Sequence, residues 1–163
     1  MRDSDLETAH RINEASPPDV DSVDRPVFER LYRQSAVCLV AVDPTDTVVG
    51  FCMIAAAGST EVPPRTARAL DRDDAMLHLD RVAFARGGGG QGLGPALYDE
   101  IDARIESGAI VPTDEPIRLT SWFSVDPLNQ HALDFYLSRR FVEIERHAFG
   151  PATLALMQKV YSR

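Results

Sequence analysis

The sequence has only two cysteines, Cys38 and Cys52, and a single lysine, Lys159, among its 163 residues. Two cysteines cannot form the dense disulfide network of a small secreted domain. No apolar run approaches the ~18 residues of a membrane-spanning helix, since the longest covers only residues 48–57. Lysines and arginines number 17 against 25 aspartates and glutamates, which leaves a net charge of −8. These scarcities argue against a nucleic-acid partner and against a membrane protein.

Both cysteines lie in apolar, strand-like segments on either side of a turn at residues 43–46, so they could be cross-strand neighbours. We expect buried, reduced thiols, as in a cytoplasmic protein. The start of the chain is polar and acidic and lacks the features of a secretory signal, which also favours a cytoplasmic location. The length and the 44% hydrophobic content fit one domain over residues 1–163.

The spacing of apolar residues predicts helices and strands along the chain. In the helix over residues 93–107 a leucine or isoleucine recurs at every fourth position, and Gly108 can end it. Asp126 and Pro127 suit the N-cap and first turn of a later helix. Residues 58–74 show no clear period and are predicted to be a loop. The predicted helices cover about 5–15, 26–34, 93–107 and 126–139, and the strands about 37–42, 48–56, 76–84, 117–124, 141–146 and 153–161.

The most informative segment is a glycine-rich stretch between a strand and a helix. Six of the eight residues from 87 to 94 are glycine. Glycine lets a backbone approach a ligand closely. The unpaired N–H groups and the positive dipole end at a helix start form an anion site that is well suited to phosphate. A flexible surface linker is the alternative that involves no ligand.

Gly87, Gly89 and Gly92 also satisfy the pattern G-x-G-x-x-G, which raises the possibility of a dinucleotide site. That fold needs several more β-α units and an acidic residue about 20 positions later. Only one further helix follows here. The Gly-Lys-Ser/Thr sequence of a P-loop is missing as well, so nucleotide enzymes are disfavoured.

A second informative segment covers residues 129–141. Asn129 and Tyr136 are seven positions apart, so they share a helix face and lie about 10 Å apart along the axis. Ala132 and Leu133 lie on that same face. Taken alone, Tyr136 suits a half-buried core aromatic as well as a proton donor.

Together the two segments resemble the GCN5-related N-acetyltransferases (the GNAT superfamily), over about residues 20–161. The first family motif reads V-x-x-x-P-x-x-(R/Q)-G-x-G-(I/L)-G, and the second reads N-x-x-A-x-x-(F/L)-Y-x-x-x-G-F. The matching residues are Val82, Gly90, Gly92, Leu93 and Gly94 in the first motif and Asn129, Ala132, Phe135, Tyr136 and Phe141 in the second.

Three positions depart from these motifs. Arg86 stands where the family often has proline, and Gly89 stands where it usually has arginine or glutamine. The second change removes a side-chain anchor near a pyrophosphate, and Arg86 could supply the lost charge. Arg140 replaces the glycine that usually precedes Phe141. The first strand of the family is short or absent here.

The resemblance implies an α/β (α+β) fold, with a mixed, mostly antiparallel sheet flanked by helices. The strands that bear Phe84 and Ser124 would separate to admit an acyl-coenzyme A. The resemblance therefore implies acetyl-CoA as the cofactor, and no metal. The residues implied to bind it are Val82, Ala83, Phe84, Gly89, Gly90, Gln91, Gly92, Leu93, Gly94, Pro95 and Asn129.

The implied reaction is transfer of an acetyl group to a primary amine by direct attack on the thioester. Tyr136 matches the family's tyrosine that protonates the departing thiolate. Asp80 and His78 alternate on one face of the strand before the glycines, so either could accept the amine's proton, directly or through water. Each residue also has a structural alternative: an ion pair for Asp80, a satisfied strand histidine for His78 and a helix cap for Asn129.

The acceptor would be a small molecule or a peptide, and the acidic surface suits a cationic one. Its pocket would be built by the early helices and residues 58–74, with Trp122 and Phe123 as candidate lining. A homodimer is compatible with the sequence. The alternative function is a non-catalytic module that binds acyl-CoA, which would need the glycine loop but neither Tyr136 nor a base.

Overall fold

The computed structural model describes residues 1–17, 20–56, 75–85, 92–125, 130–149 and 152–162. Within these ranges a short 3₁₀ turn at Asp3–Asp5 leads into four α-helices and six β-strands. The predicted elements are confirmed there, and the fifth strand runs three residues further than predicted. The predicted loop at 58–74 and the helix start at 126–129 lie outside the described residues. The elements are α1 (Leu6–Glu14), α2 (Arg25–Gln34), β1 (Ser35–Val42), β2 (Val48–Ala56), β3 (Ala75–Phe84), α3 (Leu93–Glu106), β4 (Ile117–Ser124), α4 (Gln130–Ser138), β5 (Val142–Phe149) and β6 (Ala152–Tyr161).

The six strands form one sheet in the order β1-β2-β3-β4-β6-β5. Only β3 and β4 run parallel, and the other neighbouring pairs are antiparallel. A parallel pair needs a long crossover connection, which here includes α3. The mixed, mostly antiparallel sheet flanked by helices that the sequence predicted is therefore confirmed.

Both faces of the sheet are covered, and β2 supplies side chains to each. Cys52 and Ile54 belong to the core beneath α3 and α4. Phe51 and Met53 belong to the core beneath α1 and α2. A strand that is buried on both faces needs an almost continuous apolar sequence, which explains why this segment shows no alternation with polar residues.

The two cysteines are not cross-strand partners. Cys38 lies opposite Met53, and Leu39 lies opposite Cys52. Opposed residues share a face of the sheet, so this offset of one residue places the two thiols on opposite faces. Both cysteines are free. Burial raises the pKa of the Cys52 thiol to about 12, so it remains protonated.

The first two helices pack on the face of the sheet away from α3. Asp24 caps α2, because its carboxylate accepts a hydrogen bond of 2.9 Å from the N–H of Val27. Pro26 lies in the first turn, where its missing N–H costs nothing. In the described part of the chain no strand precedes α1.

The parallel strands β3 and β4 are paired over only four positions, ending at His78 and Thr120. Both strands continue past this point, β3 along β2 as far as Phe84 and β4 along β6 as far as Ser124. The two halves of the sheet therefore separate there. We call the space between the unpaired parts of β3 and β4 the split.

A β-bulge lies at the start of the split. Leu79 is opposite Ile54 and Arg81 is opposite Met53, so Asp80 is the extra residue of β3. A bulge bends its strand and increases the local twist. The bulge also shifts by one residue the set of β3 side chains that face α3 and α4. The alternation of side chains between the two faces is therefore interrupted at Asp80, beyond the pair His78 and Asp80 considered in the sequence.

Among the described residues, no helix is both long and apolar enough to cross a bilayer. The same residues contain no group of three or more histidine, cysteine, aspartate or glutamate side chains arranged to hold a metal ion.

Candidate active site

The open edge of β3 forms one wall of the split. Residues 82–84 are paired with β2 on one side, and no described strand pairs with their other side. Val82 and Phe84 turn half-buried side chains toward the core under α3 and α4, whereas Ala83 is buried beneath α1 and α2. The backbone groups on the open side need partners. An extended ligand can supply them as an added strand would.

α3 begins shortly after β3 in the chain, so the start of this helix lies at the open end of the split. Gly92 is the N-cap and has a φ of 74°, a conformation that favours glycine. A Cβ placed on Gly94 would meet no described atom within 4 Å. Leu93, Gly94 and Pro95 make the first turn, whose N–H groups have no partner within the helix. A phosphate can therefore approach this backbone closely. The other residues predicted to bind the cofactor, Gly89, Gly90, Gln91 and Asn129, lie outside the described residues.

Tyr136 lies on α4 and is only 6% exposed. Its ring stacks on Phe123, with centroids 5.4 Å apart and planes inclined by 27°. The rings of Tyr98, Phe135 and Phe141 meet it edge to face. These ring contacts fix the orientation of the phenol where α3, α4 and β4 meet.

The hydroxyl of Tyr136 belongs to a buried chain of hydrogen bonds. The Tyr98 hydroxyl donates to it at 3.1 Å, and the Ser121 hydroxyl lies 3.1 Å from it. Ser121 in turn donates to the carbonyl oxygen of Leu79, which lies next to the bulge. Burial raises the pKa of Tyr136, and its hydrogen bonds with Ser121 and Tyr98 partly oppose this effect. Tyr136 is therefore a neutral phenol at physiological pH.

His78 is 3% exposed, and its Nδ1 atom lies 3.0 Å from the Thr120 hydroxyl. That hydroxyl donates its only hydrogen to the carbonyl oxygen of Leu77. Nδ1 must therefore carry the imidazole hydrogen, which leaves Nε2 as a proton acceptor. Burial lowers the pKa of His78 to about 4, so the ring is neutral at physiological pH.

Asp80 and Arg81 form an ion pair at the bulge, with 3.4 Å between the carboxylate and Nε. Arg81 is 9% exposed, and its Nη1 atom donates to the Asn13 side chain and to the carbonyl oxygen of Asp21. A buried cation needs a nearby anion. The Asp80 carboxylate therefore balances the charge of Arg81. The Arg81 side chain in turn connects β3 to α1 and to the segment after α1. This is the structural alternative for Asp80 that the sequence left open.

The phenol and the imidazole lie on opposite faces of the sheet. Leu77 and Leu79 face α3 and α4. His78 lies between them in the strand, so its side chain points to the other face. Tyr136 packs within the α3 and α4 core. A group held in the split would therefore have a proton donor on one face of the sheet and a proton acceptor toward the other.

A separate cavity of about 530 Å³ lies near the C-terminal half of α3, and its lining includes none of these residues. Asp102, Lys159 and Tyr161 are among the residues that line it. The Asp102 carboxylate accepts hydrogen bonds from Lys159 at 2.7 Å and from the Tyr161 hydroxyl at 2.5 Å. These contacts join β6 to α3 and have a structural role.

Three polar residues of the site were missed from the sequence: Tyr98, Thr120 and Ser121. Tyr98 gives the clearest signal, because it lies beside the predicted apolar stripe of α3, and a buried tyrosine usually needs a hydrogen-bond partner. The other two lie in β4, a strand of mixed polar and apolar residues, where the sequence does not indicate which residues they contact.

The fold and the split together define a known class of structure. No protein-family model matches the sequence, and comparison with curated proteins finds no match either. Solved structures do resemble it. NAA60 of Arabidopsis thaliana superposes with a TM-score of 0.71 at 18% identity, covering 98% of this chain and 94% of that one.

Two bacterial proteins are similar to a comparable extent. The ribosomal-protein-S18-alanine N-acetyltransferase of Escherichia coli gives a TM-score of 0.70 at 16% identity, covering 100% of this chain and 92% of that one. A Desulfovibrio desulfuricans protein assigned to the GNAT family gives a TM-score of 0.68 at 16% identity, covering 97% of this chain and 93% of that one. The chain has the GNAT fold, as its two motifs predicted.

Proposed function

We propose that this protein is an N-acetyltransferase that uses acetyl-CoA to acetylate a primary amine. The observation that carries the proposal is the separation of β3 and β4 after His78 and Thr120, with the Tyr136 phenol beside it. NAA60 has been solved with acetyl-CoA and NatC with CoA, and both share this fold.

The residues present fit an acyl-CoA. The backbone at Gly92 and Gly94 is open to a phosphate group. The unpaired edge of residues 82–84 offers backbone partners for the amides of a pantetheine arm. Ser121, the first β4 residue past the paired part, contacts the Tyr136 hydroxyl, so the acyl end of such a ligand would arrive near it.

The bound thioester would supply an acyl carbon open to attack and a thiolate leaving group. A backbone N–H in residues 82–84 would stabilise the charge that develops on the carbonyl oxygen. Tyr136 would protonate the departing sulfur, since its raised pKa keeps the proton available.

His78 would accept the amine's proton through Nε2, directly or by way of water. Its pKa of about 4 keeps it unprotonated but makes it a weak base, so the amine must reach the site largely neutral. Asp80 would act mainly by holding Arg81 and with it the neighbouring wall. We therefore favour His78 over Asp80 as the proton acceptor.

We infer that the acceptor is a peptide or a small-molecule amine. NAA60 and Naa20 were solved with bisubstrate analogues, and NatC was solved with a Gag peptide. An amine that gives its proton to His78 would reach it on the face of the sheet opposite the α3 and α4 core.

Two measurements test this function. Titration calorimetry with acetyl-CoA, using NADH as the control ligand, tests the cofactor. Thiol release from acetyl-CoA over a panel of peptides and small amines then tests the reaction. Micromolar binding with amine-dependent release is the expected result. Binding without release for any amine would favour the non-catalytic acyl-CoA module, and NADH binding without CoA binding would overturn both functions.

A further inference from the structure

Tyr98 is a residue of the site to which the motifs assign no role. It lies on α3, is 3% exposed, and packs edge to face against Phe135, Tyr136 and Phe141. Its hydroxyl donates to the hydroxyl of Tyr136 across 38 positions of sequence. Packing alone would be satisfied by phenylalanine, so the hydroxyl needs a separate explanation.

The directions of the hydrogen bonds supply one. Tyr98 donates to Tyr136, and Ser121 donates to the carbonyl oxygen of Leu79. The hydrogen of Tyr136 is then directed toward Ser121 or toward a group in the split. The oxygen of Tyr136 always accepts from Tyr98, so a proton donor to it remains in place when its own proton leaves.

We propose that Tyr98 is a positioning residue that orients the Tyr136 phenol and stabilises its oxygen while Tyr136 gives its proton to the departing sulfur. This proposal rests on the proposed function. The proton moves from the Tyr136 oxygen to the sulfur, which keeps the electron pair of the broken C–S bond. Tyr136 is left as a phenolate and regains a proton from water.

Tyr98 lowers the free energy of the Tyr136 phenolate. A charge in an apolar cluster is strongly destabilised unless donors surround it. The hydrogen bond that Tyr98 donates lowers the pKa of Tyr136 against the effect of burial. Burial and the neighbouring Tyr136 raise the pKa of Tyr98 well above its usual value, so Tyr98 keeps its own proton.

Tyr98 also connects the two ends of the site. It follows Gly94 by four residues on the same helix, about 6 Å along the axis. A ligand anchored at the start of α3 is thereby held in fixed relation to the donor that supports Tyr136.

The first test needs no ligand. The protein is labelled with tyrosine carrying ¹³C at Cζ, and the Tyr136 signal is identified by its loss in Tyr136→Phe. In Tyr98→Phe the aromatic ring remains, so ring-current effects change little. We expect the Tyr136 signal to shift and its ionisation to move upward by about one pH unit.

The matched control is Tyr161→Phe. It also removes a buried phenol hydroxyl that bonds to α3, through Asp102, but outside the Tyr136 chain. It should leave the Tyr136 signal unchanged. An unchanged Tyr136 signal in Tyr98→Phe would overturn the proposal.

Kinetics give the second readout. Tyr98→Phe should lower kcat about tenfold, equivalent to ~1.4 kcal/mol, with the KM for acetyl-CoA within twofold of wild type. Adding Tyr98→Phe to Tyr136→Phe should cause no further loss, and Tyr161→Phe should keep the wild-type kcat. An active wild type with unaltered kcat in Tyr98→Phe overturns this inference alone. A wild type that neither binds nor uses acetyl-CoA overturns the proposed function as well.

Discussion

The main-chain N–H of Phe141 donates to the carbonyl oxygen of Tyr136 at 3.1 Å, and their rings pack edge to face with centroids 5.1 Å apart. Arg140 donates to the carbonyl oxygen of Leu137 and has a φ of 66°. These are the two hydrogen bonds and the apolar contact of a Schellman cap. The cap that ends α4 therefore also holds Tyr136, and it explains why the motif closes on glycine and phenylalanine.

Arg140 occupies the left-handed position of that cap, where a side chain costs energy. Replacing it with glycine should stabilise the protein by about 1 kcal/mol and raise its Tm by ~2–4 °C. Gly108 holds the same position at the end of α3, with a φ of 75°. Gly108→Ala is the matched control and should lower the Tm. A fall in Tm for Arg140→Gly would show that the arginine side chain has a stabilising contact that outweighs the strain.

Tyr136→Phe should slow turnover ~10²-fold, the usual scale for loss of a general acid, and leave acetyl-CoA binding nearly intact. The change removes only the hydroxyl that meets Tyr98 and Ser121. Steady-state kinetics and calorimetry measure the two effects. A full kcat in the variant at every pH would mean that Tyr136 serves packing alone.

Thr120→Val should reduce kcat about tenfold, because Nδ1 of His78 loses its acceptor and the hydrogen can move to Nε2. Thr120→Ser keeps the hydroxyl and should restore most of the activity. Thermal melting of both variants controls for stability. Equal activity in the valine and serine variants would remove His78 from the proton path.

His78 should make stability depend on pH. Its pKa is about 4 in the folded protein against 6.5 when solvated, so the unfolded chain binds more protons between these values. Stability is therefore lost as the pH falls, by about 2 kcal/mol between pH 7 and pH 5. In urea unfolding, the free energy of unfolding of His78→Asn should fall correspondingly less between pH 7 and pH 5.

Between pH 7 and pH 8 the difference in the free energy of unfolding between the wild type and His78→Asn should stay constant. Parallel pH curves down to pH 5 would contradict the burial of a neutral imidazole.

Gly94→Asp should strongly weaken binding of acetyl-CoA while the protein stays folded. A carboxylate there would face the phosphates, and at about 4 Å this repulsion lowers affinity on the order of a hundredfold or more. Gly94→Asn has nearly the same shape without the charge and is the control.

Gly92→Asp is a poorer test of the phosphate site, because the φ of 74° at Gly92 strains any side chain. Thermal shifts with and without acetyl-CoA report both folding and binding. An undiminished shift in Gly94→Asp would rule out a phosphate site at α3.

Most of the fold could be predicted from the sequence because its signals are local. Apolar spacing located the helices and strands, and Gly108, predicted to end α3, does so with a φ of 75°. The two motifs predicted the split and Tyr136. Local preference and motif spacing act over a few residues, and a single sequence carries both.

Tertiary structure alone decided the contacts between distant segments. The bulge at Asp80 depends on how β3 aligns with β2, and it interrupts the alternation of β3 side chains between Leu79 and Val82, which both face α3 and α4. The same kind of register, set by the burial of both faces of the sheet, put Cys38 and Cys52 on opposite sides. The bond between Tyr98 and Tyr136 exists only because α3 and α4 pack side by side on one core. Register and packing are settled by the whole chain at once, so no local pattern encodes them.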